Sequence, residues 1–241
     1  MIKFFRKIRY NLMSENKKGK YIKYAIGEIV LVVIGILIAL SINNWNNNNQ
    51  DKKLEKQYIS GLINDFKADS IAISAIKINS DEQVRTKNKL VEYFKGQVFS
   101  NDSIASFFYK QWSMSVGFNP TTVTIDEMKS TGRLRLIQKT DLRKRIIKTY
   151  NDYQIFINGS QSDYERHRGE LRKLAVKIPR VVDVQILKNA TSPNIIEALK
   201  NAELKNSVLS NYAVNVNSAL TNLEKENHTL LNELNRYFSS L

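Results

Sequence analysis

An apolar run near the start of the sequence strongly limits the structures that this chain can adopt, because no residue from Ile29 to Ile42 carries a charge. That stretch alone forms about 21 Å of helix, but a helix over residues 24–45 reaches about 33 Å. The longer length matches the roughly 30 Å hydrocarbon core of a bilayer. The run therefore predicts a transmembrane helix over residues 24–45.

Aromatic and basic residues flank the run where membrane anchors usually carry them, because aromatic rings lie among head groups and lysines reach water. The predicted interface residues are Lys20, Tyr21, Lys23, Tyr24 and Trp45. Glu28 is the one ionisable residue of the span and lies near its start. We expect Glu28 to stay hydrated and to anchor the helix, and pairing with a membrane partner is the alternative.

Two other kinds of segment share this pattern, a cleaved signal peptide and a buried core helix. The basic region before the run is long for a signal peptide, and Ala39–Ser41 is a poor small-residue cleavage site. We favour the membrane anchor over both alternatives.

The charge distribution predicts the orientation of the anchor. The formal net charge is +14, and residues 1–24 hold eight basic residues and one acidic residue, whereas residues 43–50 hold no charge. The positive-inside rule places residues 1–23 in the cytoplasm as a basic tail. Residues 46–241 then form a domain outside the cytoplasm, in the periplasm of a two-membrane bacterium. With the domain on that side, we expect no nucleic-acid partner.

Residues 2–13 and the span itself carry two weaker patterns. Phe4, Ile8 and Leu12 would share one face of a short interfacial helix, and a disordered basic tail is the alternative. Small residues recur within the span, which would let two helices approach closely and would favour a homo-oligomer. These small residues are Gly27, Gly35 and Ala39.

Two segments resemble an uncharacterised family of Bacteroidetes membrane proteins. The first is KYIKYAIGEIVLVVIGILIAL (residues 20–40) followed by INNWN (residues 42–46), and the second is IDEMKSTGRLRLI (residues 125–137). The family is a domain of unknown function. The resemblance implies a membrane location and supplies no catalytic residue, cofactor or mechanism.

The rest of the chain has the patterns of helices. Residues 51–95 continue from the span without proline, and Gly96 predicts the end of that helix. Asp102 is a candidate cap for a helix that continues to Ser115, and a short helix over 122–131 should end at Gly132. Thr140 is the candidate cap of the next helix, with Asp141 in its first turn.

Heptad spacing marks two long helices. Tyr150, Ile157, Tyr164, Leu171 and Ile178 recur every seven residues before Pro179. A second set is Leu209, Val216, Leu223, Leu230 and Tyr237, widened by Ala213, Leu220 and Leu234. This spacing predicts antiparallel packing in a bundle. Residues 180–193 are expected to be a connection that includes, at most, a short strand.

Few residues are candidates for catalysis or for binding a metal or an anion. His167 has Asp163 and Glu170 at helical spacing, but a metal site needs more ligands, so we expect a half-buried histidine bonded to a neighbour. A basic cluster is a candidate patch for an anion or an acidic partner, with a solvated face as the favoured alternative. It comprises Arg133, Arg135, Lys139, Arg143, Lys144 and Arg145. No cofactor is expected, and the lack of Cys excludes disulfides and thiolate chemistry.

Two Asp-Ser-Ile triplets, residues 69–71 and 102–104, resemble a short O-glycosylation motif, and helix capping by the two aspartates is the alternative. The sequence as a whole predicts an all-α protein in which one N-terminal transmembrane helix continues into an extracytoplasmic helical bundle. The expected role is a scaffold, adaptor or sensor-like interaction module of the inner membrane, with an unknown membrane or periplasmic protein as partner. The competing hypothesis is an envelope hydrolase.

Overall fold

The computed structural model describes Tyr10, residues 18–179 and residues 192–241, and every regular element in that part of the chain is helical. The predicted all-α class is confirmed. The chain divides into two compact units, Met1–Glu55 and Lys56–Leu241. The interfacial helix predicted for residues 2–13, Tyr10 aside, and residues 180–191 of the predicted connection lie outside the described residues.

The first helix, α1, extends from Lys18 to Phe94. It ends two residues before Gly96, the predicted stop, whose φ of 100° is in the left-handed region. The Gly96 N–H donates to the Tyr93 carbonyl (2.9 Å), and the Gln97 N–H donates to the Glu92 carbonyl (3.1 Å). These bonds satisfy carbonyls that the end of the helix would otherwise leave unpaired.

The uncharged residues 29–42 of α1, which belong to the first unit, are all exposed. One 18-residue window of α1 has a mean hydropathy of 2.8, and none of that window is buried within the structure. Among the described helices, α1 is the one that is long and apolar enough to cross a membrane. The alternative of a buried core helix does not fit this exposure, whereas membrane anchoring does.

The next helices are short. Helix α2 is Asn101–Ser113, and Ser100 caps it by accepting the Ser103 N–H (3.2 Å). The prediction that Asp102 caps this helix and that it continues to Ser115 is wrong. Asp102 lies instead in the first turn, where a negative charge suits the positive end of the helix. Helix α3 is Val123–Ser130, and Gly132 follows it with a φ of 66°, as predicted.

Helix α4 (Thr140–Phe156) continues through a π-helical turn (Ile157–Gln161) into α5 (Ser162–Ala175). The helix begins one residue before its predicted start, so Lys139 and not Thr140 is in the cap position, and Lys139 makes no capping bond with its side chain. Asp141 lies in the first turn, as predicted.

The C-terminal part of the chain forms α6 (Ser192–Ala198), α7 (Ala202–Leu209) and α8 (Ala213–Ser240). The second heptad set is therefore split, because Leu209 ends α7 while the other members belong to α8. From Val216 to Leu230 the set is buried, and so are Ala213, Leu220 and Leu234.

Helix α8 runs antiparallel to both α1 and α4. Along α1, Phe66 meets Asn227 and Asp81 meets Asn217, so the numbers rise on one helix as they fall on the other. Along α4, Tyr153 meets Asn227 and Arg145 meets Glu233. The predicted antiparallel packing of the two heptad helices is confirmed.

The second unit has a buried apolar interior. One group of buried side chains joins α1, α2, α5 and the C-terminal short helices and includes Leu90, Phe108, Leu171, Ile195 and Val208. A second group of fully buried side chains includes Phe66, Met128, Ile146, Tyr153 and Leu230. Burying side chains of this size supplies the main favourable free energy of folding.

Candidate functional site

His167, Asp163 and Glu170 each have a separate partner in the structure. Its Nε2 lies 2.8 Å from the Ser207 carbonyl oxygen, and its ring meets Tyr212 edge-on. Asp163 pairs with Arg166 and Glu170 pairs with Lys173. The prediction of a half-buried histidine bonded to a neighbour is confirmed, and no group of three or more acidic or His residues converges within the described part of the chain.

The predicted membrane residues all lie on α1. The side chains of Lys23 and Trp45 are exposed, while those of Lys20, Tyr21 and Tyr24 lie outside the described residues. The partly exposed Glu28 lines a surface groove of about 340 Å³ on this helix.

The small residues of the span leave the surface of α1 open. A Cβ added at Gly27 or Gly35 would meet nothing within 4 Å, and Ala39 is exposed. No described residue therefore packs closely against Gly27 or Gly35. Contact with a second helix remains a prediction.

The predicted basic patch is not one site. Arg133 donates to the Tyr58 hydroxyl (3.0 Å), and Arg143 donates to the Ile137 carbonyl (2.7 Å), so both support local structure. Arg135 and Lys144 are exposed. Only Lys139 and Arg145 of the predicted cluster face a common pocket.

That pocket lies between the start of α4 and the end of α8 and has a volume of about 550 Å³. Glu233 of α8 bridges two cations of the opposite element, because its carboxylate accepts from Lys139 (3.1 Å) and from Arg145 (3.0 Å). The residues that line the pocket are Lys139, Arg145, Glu233, Arg236, Tyr237 and Ser240. We refer to this site as the basic pocket.

The electrostatics of the basic pocket are dominated by its cations. Partial burial by itself raises the pKa of Glu233, but the hydrogen bonds from Arg145 and Lys139 outweigh burial and hold the pKa below its ordinary value. Glu233 is therefore ionised at neutral pH; Lys139 and Arg145 pair with it, and Arg236, whose Nε donates to the Asn232 carbonyl, lines the same pocket. The sequence pattern missed Glu233 and Arg236, although antiparallel packing of α4 and α8 brings the end of one helix to the start of the other.

Two buried carboxylates of α1 form a second polar site that the sequence did not reveal. Asp65 accepts the Thr124 N–H (3.0 Å), and Asp69 accepts the Thr121 N–H (2.7 Å). Thr122, in the cap position of α3, makes no capping bond with its side chain. Asp65 and Asp69 thus bind backbone donors at the start of α3 in place of a local cap.

The carboxyl group of Asp69 has a raised pKa and one oxygen without a hydrogen-bond partner among the described residues. Burial raises the pKa of its carboxyl group to about 6, against the lowering effect of the bond from Thr121. Its Oδ2 is buried and has no hydrogen-bond partner among the described residues. A carboxyl group with these properties is easily protonated near neutral pH.

Tyrosines and an asparagine complete this polar interior. Tyr150 donates to the Thr121 carbonyl (3.1 Å), and Asn227 donates to the Tyr153 hydroxyl (2.7 Å) and to the Phe66 carbonyl (3.2 Å). Burial, as the largest cause, raises the pKa of both tyrosines well above its ordinary value. Their hydroxyls are therefore neutral at any physiological pH and act as structural hydrogen-bonding groups.

The two Asp-Ser-Ile triplets lie in helices. Asp69 is buried in the interior of α1, and Asp102 accepts the Ser192 hydroxyl (2.5 Å) in the first turn of α2. The alternative that these aspartates occupy the cap positions of their own helices is wrong. Glycosylation of Ser70 or Ser103 remains a prediction.

A family model described as "Family of unknown function (DUF6090)" matches residues 28–198. The match contains all of residues 125–137 and most of residues 20–46, the two segments that resemble the Bacteroidetes membrane proteins. No curated protein and no solved structure matches the chain.

Proposed function

This chain belongs to the family of unknown function DUF6090, and we propose that it is a single-span inner-membrane protein with a helical interaction domain in the periplasm. The span is residues 24–45, and the interaction domain is residues 46–241. The domain acts as a scaffold, an adaptor or a sensor-like module toward a membrane or periplasmic protein.

The exposure of apolar side chains is the main support for a membrane anchor. Large apolar side chains along the first part of α1 are exposed, and the most hydrophobic window of that helix is not buried at all. Exposing such a surface to water costs about 25 cal/mol for each Å² of apolar area. A bilayer removes this cost, and the helical backbone satisfies its own hydrogen bonds there.

The orientation of the anchor rests on charge. The eight basic residues of 1–24 retain the N-terminal side in the cytoplasm, and the uncharged stretch 43–50 passes to the other side. The resemblance to Bacteroidetes membrane proteins agrees with an inner membrane and a periplasm.

The contacts of His167 and Glu170 support an interaction domain over the competing hydrolase. His167 bonds the Ser207 carbonyl and Glu170 pairs with Lys173, so both side chains have structural partners. A bound metal, together with loss of a hydrolytic activity in His167→Gln, would favour the hydrolase.

Replacing apolar residues at the centre of the span tests the anchor. We expect Ile34→Arg with Leu37→Arg to release the chain from carbonate-washed membranes, because each arginine at mid-bilayer costs about 3 kcal/mol on insertion scales. The matched control is Ile71→Arg with Ile78→Arg, which changes two exposed isoleucines of the same helix within the second unit. Equal membrane retention of both double variants would contradict the anchor.

Self-association through the span is part of this proposal. Gly35→Leu with Ala39→Leu fills the open surface that the small residues leave, so we expect the full chain in detergent to change from dimer to monomer by native mass spectrometry. Val33→Leu, on another face of the helix, is the control and should retain the dimer. A monomeric wild-type chain would contradict self-association.

A further inference from the structure

We propose that the basic pocket between α4 and α8 binds a phosphate group, carried by a phospholipid head group or by a free phosphate. Lys139 and Arg145 of one element pair there with Glu233 of the other, and Arg236 lines the same pocket. The free-phosphate form of this proposal is independent of the anchor, and the lipid form rests on it.

The chemistry of the donors favours an oxyanion. A guanidinium carries five N–H donors and an ammonium carries three, and Glu233 takes one donor from Arg145 and one from Lys139. The planar fork of arginine matches two oxygens of a phosphate, and charge-assisted bonds of this kind are about twice as strong as neutral ones. The pocket thus has donors beyond those that its own carboxylate uses.

The volume of the basic pocket indicates how the phosphate is carried. At about 550 Å³ the pocket is within the roughly 300–1,000 Å³ range of small-molecule sites. That space exceeds what a bare phosphate needs, so an ester with an organic group fits. Tyr237 and Ser240 supply the remaining wall, an aromatic ring and a hydroxyl.

Glu233 acts as an internal competitor for the ligand. It holds Lys139 and Arg145 in position across the pocket, which reduces the ordering that a ligand must impose. Its negative charge also repels an incoming anion. Removing that charge while keeping the side-chain shape should therefore strengthen phosphate binding, an effect that a purely structural ion pair would not produce.

The position of the pocket within the second unit agrees with a lipid source. The Nζ of Lys56, the first residue of that unit, lies 5.0 Å from the ring centre of Phe238, next to Tyr237 of the pocket. The pocket is thus at the end of the unit where the chain enters, and only residues 46–55 separate Lys56 from the predicted span. Phospholipid phosphates are the anions that a membrane offers at its surface.

The test uses the full chain in nanodiscs of phosphatidylcholine, titrated with inorganic phosphate at constant ionic strength. Amide hydrogen exchange of residues 139–145 and 229–240 reports the apparent dissociation constant. A second preparation contains phosphatidylglycerol in place of part of the phosphatidylcholine. The variants are Arg145→Gln with Arg236→Gln, Glu233→Gln, and the charge-matched control Lys148→Gln with Lys173→Gln, whose lysines form other ion pairs.

We expect phosphate to protect these residues from exchange saturably. Compared with the wild type, phosphate should bind at least about tenfold more weakly to the double arginine variant and about tenfold more tightly to Glu233→Gln, where tenfold corresponds to about 1.4 kcal/mol. The control should bind phosphate as the wild type does. That result assigns a free phosphate. Protection by phosphatidylglycerol alone, with the same order of variants, assigns the lipid head group.

Equal responses in the double arginine variant and in the control would overturn the proposal, and so would the absence of protection by either probe. Glu233→Gln keeps the test decisive if loss of both arginines unfolds the chain, because binding no tighter than in the wild type would also overturn it. Failure of the chain to enter nanodiscs contradicts the anchor and not the pocket, and the phosphate titration is then carried out on the full chain in buffer.

Discussion

At the scale of single residues, the buried side chain of Asp69 makes folding depend on pH. Burial raises the pKa of this carboxyl group from 3.8 to about 6, so the folded chain binds a proton more readily than the unfolded chain does. The free energy of unfolding that Asp69 contributes therefore falls as the pH rises from about 4 to about 6. Above that range the cost of the buried charge is complete.

We predict that Asp69→Asn becomes more stable relative to the wild type as the pH rises, by up to about 3 kcal/mol between pH 4 and pH 7. Asparagine can still accept the Thr121 N–H, but it carries no charge to bury. The measurement is urea unfolding of the full chain in detergent across that range. Asp81→Asn is the control and should change little relative to the wild type over this range, because a hydrogen bond from Asn217 lowers the pKa of Asp81 and its carboxyl group therefore titrates below pH 4. A stability difference between Asp69→Asn and the wild type that does not change with pH would contradict this account.

Gly61 is a second residue whose role depends on a close approach. A Cβ at this position would lie 2.8 Å from the Thr124 Oγ1 and 3.0 Å from its Cγ2. We predict that Gly61→Ala destabilises the chain by about 1–3 kcal/mol, although alanine is the better helix former.

The control for Gly61 is Gly169→Ala, inside α5, where an added Cβ meets nothing within 4 Å. Alanine should raise the free energy of unfolding there by about 0.5–1 kcal/mol. Thermal unfolding followed by circular dichroism measures the stability of both variants, Gly61→Ala and Gly169→Ala. Stabilisation by both substitutions would show that α3 does not pack as closely on α1 as the structure indicates.

These residue roles could not be predicted from the sequence. Asp69 and Gly61 lie within a long helical pattern, where an aspartate is usually solvated and a glycine merely weakens the helix. Both are explained by α3, which packs against α1 from more than fifty residues further along the chain. Helix ends at Gly96 and Gly132 were predictable, because a left-handed residue is a local requirement.

At the scale of elements, Asn227 holds α8 against both α1 and α4. It is fully buried, donating to the Phe66 carbonyl of α1 and the Tyr153 hydroxyl of α4. A buried polar group in an apolar seam fixes the alignment of the helices around it. Its Oδ1 has no hydrogen-bond partner within the described part of the chain, so the site is only partly satisfied.

We predict that Asn227→Leu costs about 1–3 kcal/mol, because the Tyr153 hydroxyl loses its partner in the interior. Adding Tyr153→Phe should recover most of that loss, since the orphaned hydroxyl is then removed. Urea unfolding of the two single variants and the double variant gives the coupling energy. Asn235→Leu is the control, because the Asn235 amide donates to the Leu231 carbonyl of the same helix (2.8 Å). Additive effects at Asn227 and Tyr153 would contradict the role of Asn227.

Heptad spacing predicted the long helices and their antiparallel packing, because a seam of apolar residues requires a facing partner. It did not predict the π-helical turn Ile157–Gln161 or the break between Leu209 and Ala213. The spacing of apolar residues also could not identify polar residues on a buried helix face. Ser80, Gln83 and Thr86 continue the buried face of α1, where Gln111 of α2 bonds Thr86 (2.7 Å).

At the scale of the whole molecule, the two units carry different parts of the proposed function. The first unit holds the exposed apolar helix that suits a bilayer, and the second holds the bundle and the basic pocket. The sequence predicted the span and a basic cluster that includes two of the four charged residues of the pocket, Lys139 and Arg145. Glu233 and Arg236 required the register of α8 against α4, which spacing alone does not give.

The topology of the chain is directly measurable, because the sequence has no native cysteine. Ser14→Cys and, separately, Ser239→Cys are expressed in cells whose outer membrane is opened and are labelled with a membrane-impermeant maleimide. We predict labelling at position 239 and not at 14, on a chain of full-length mass. Labelling at 14 and not at 239 would place the bundle in the cytoplasm and contradict the account.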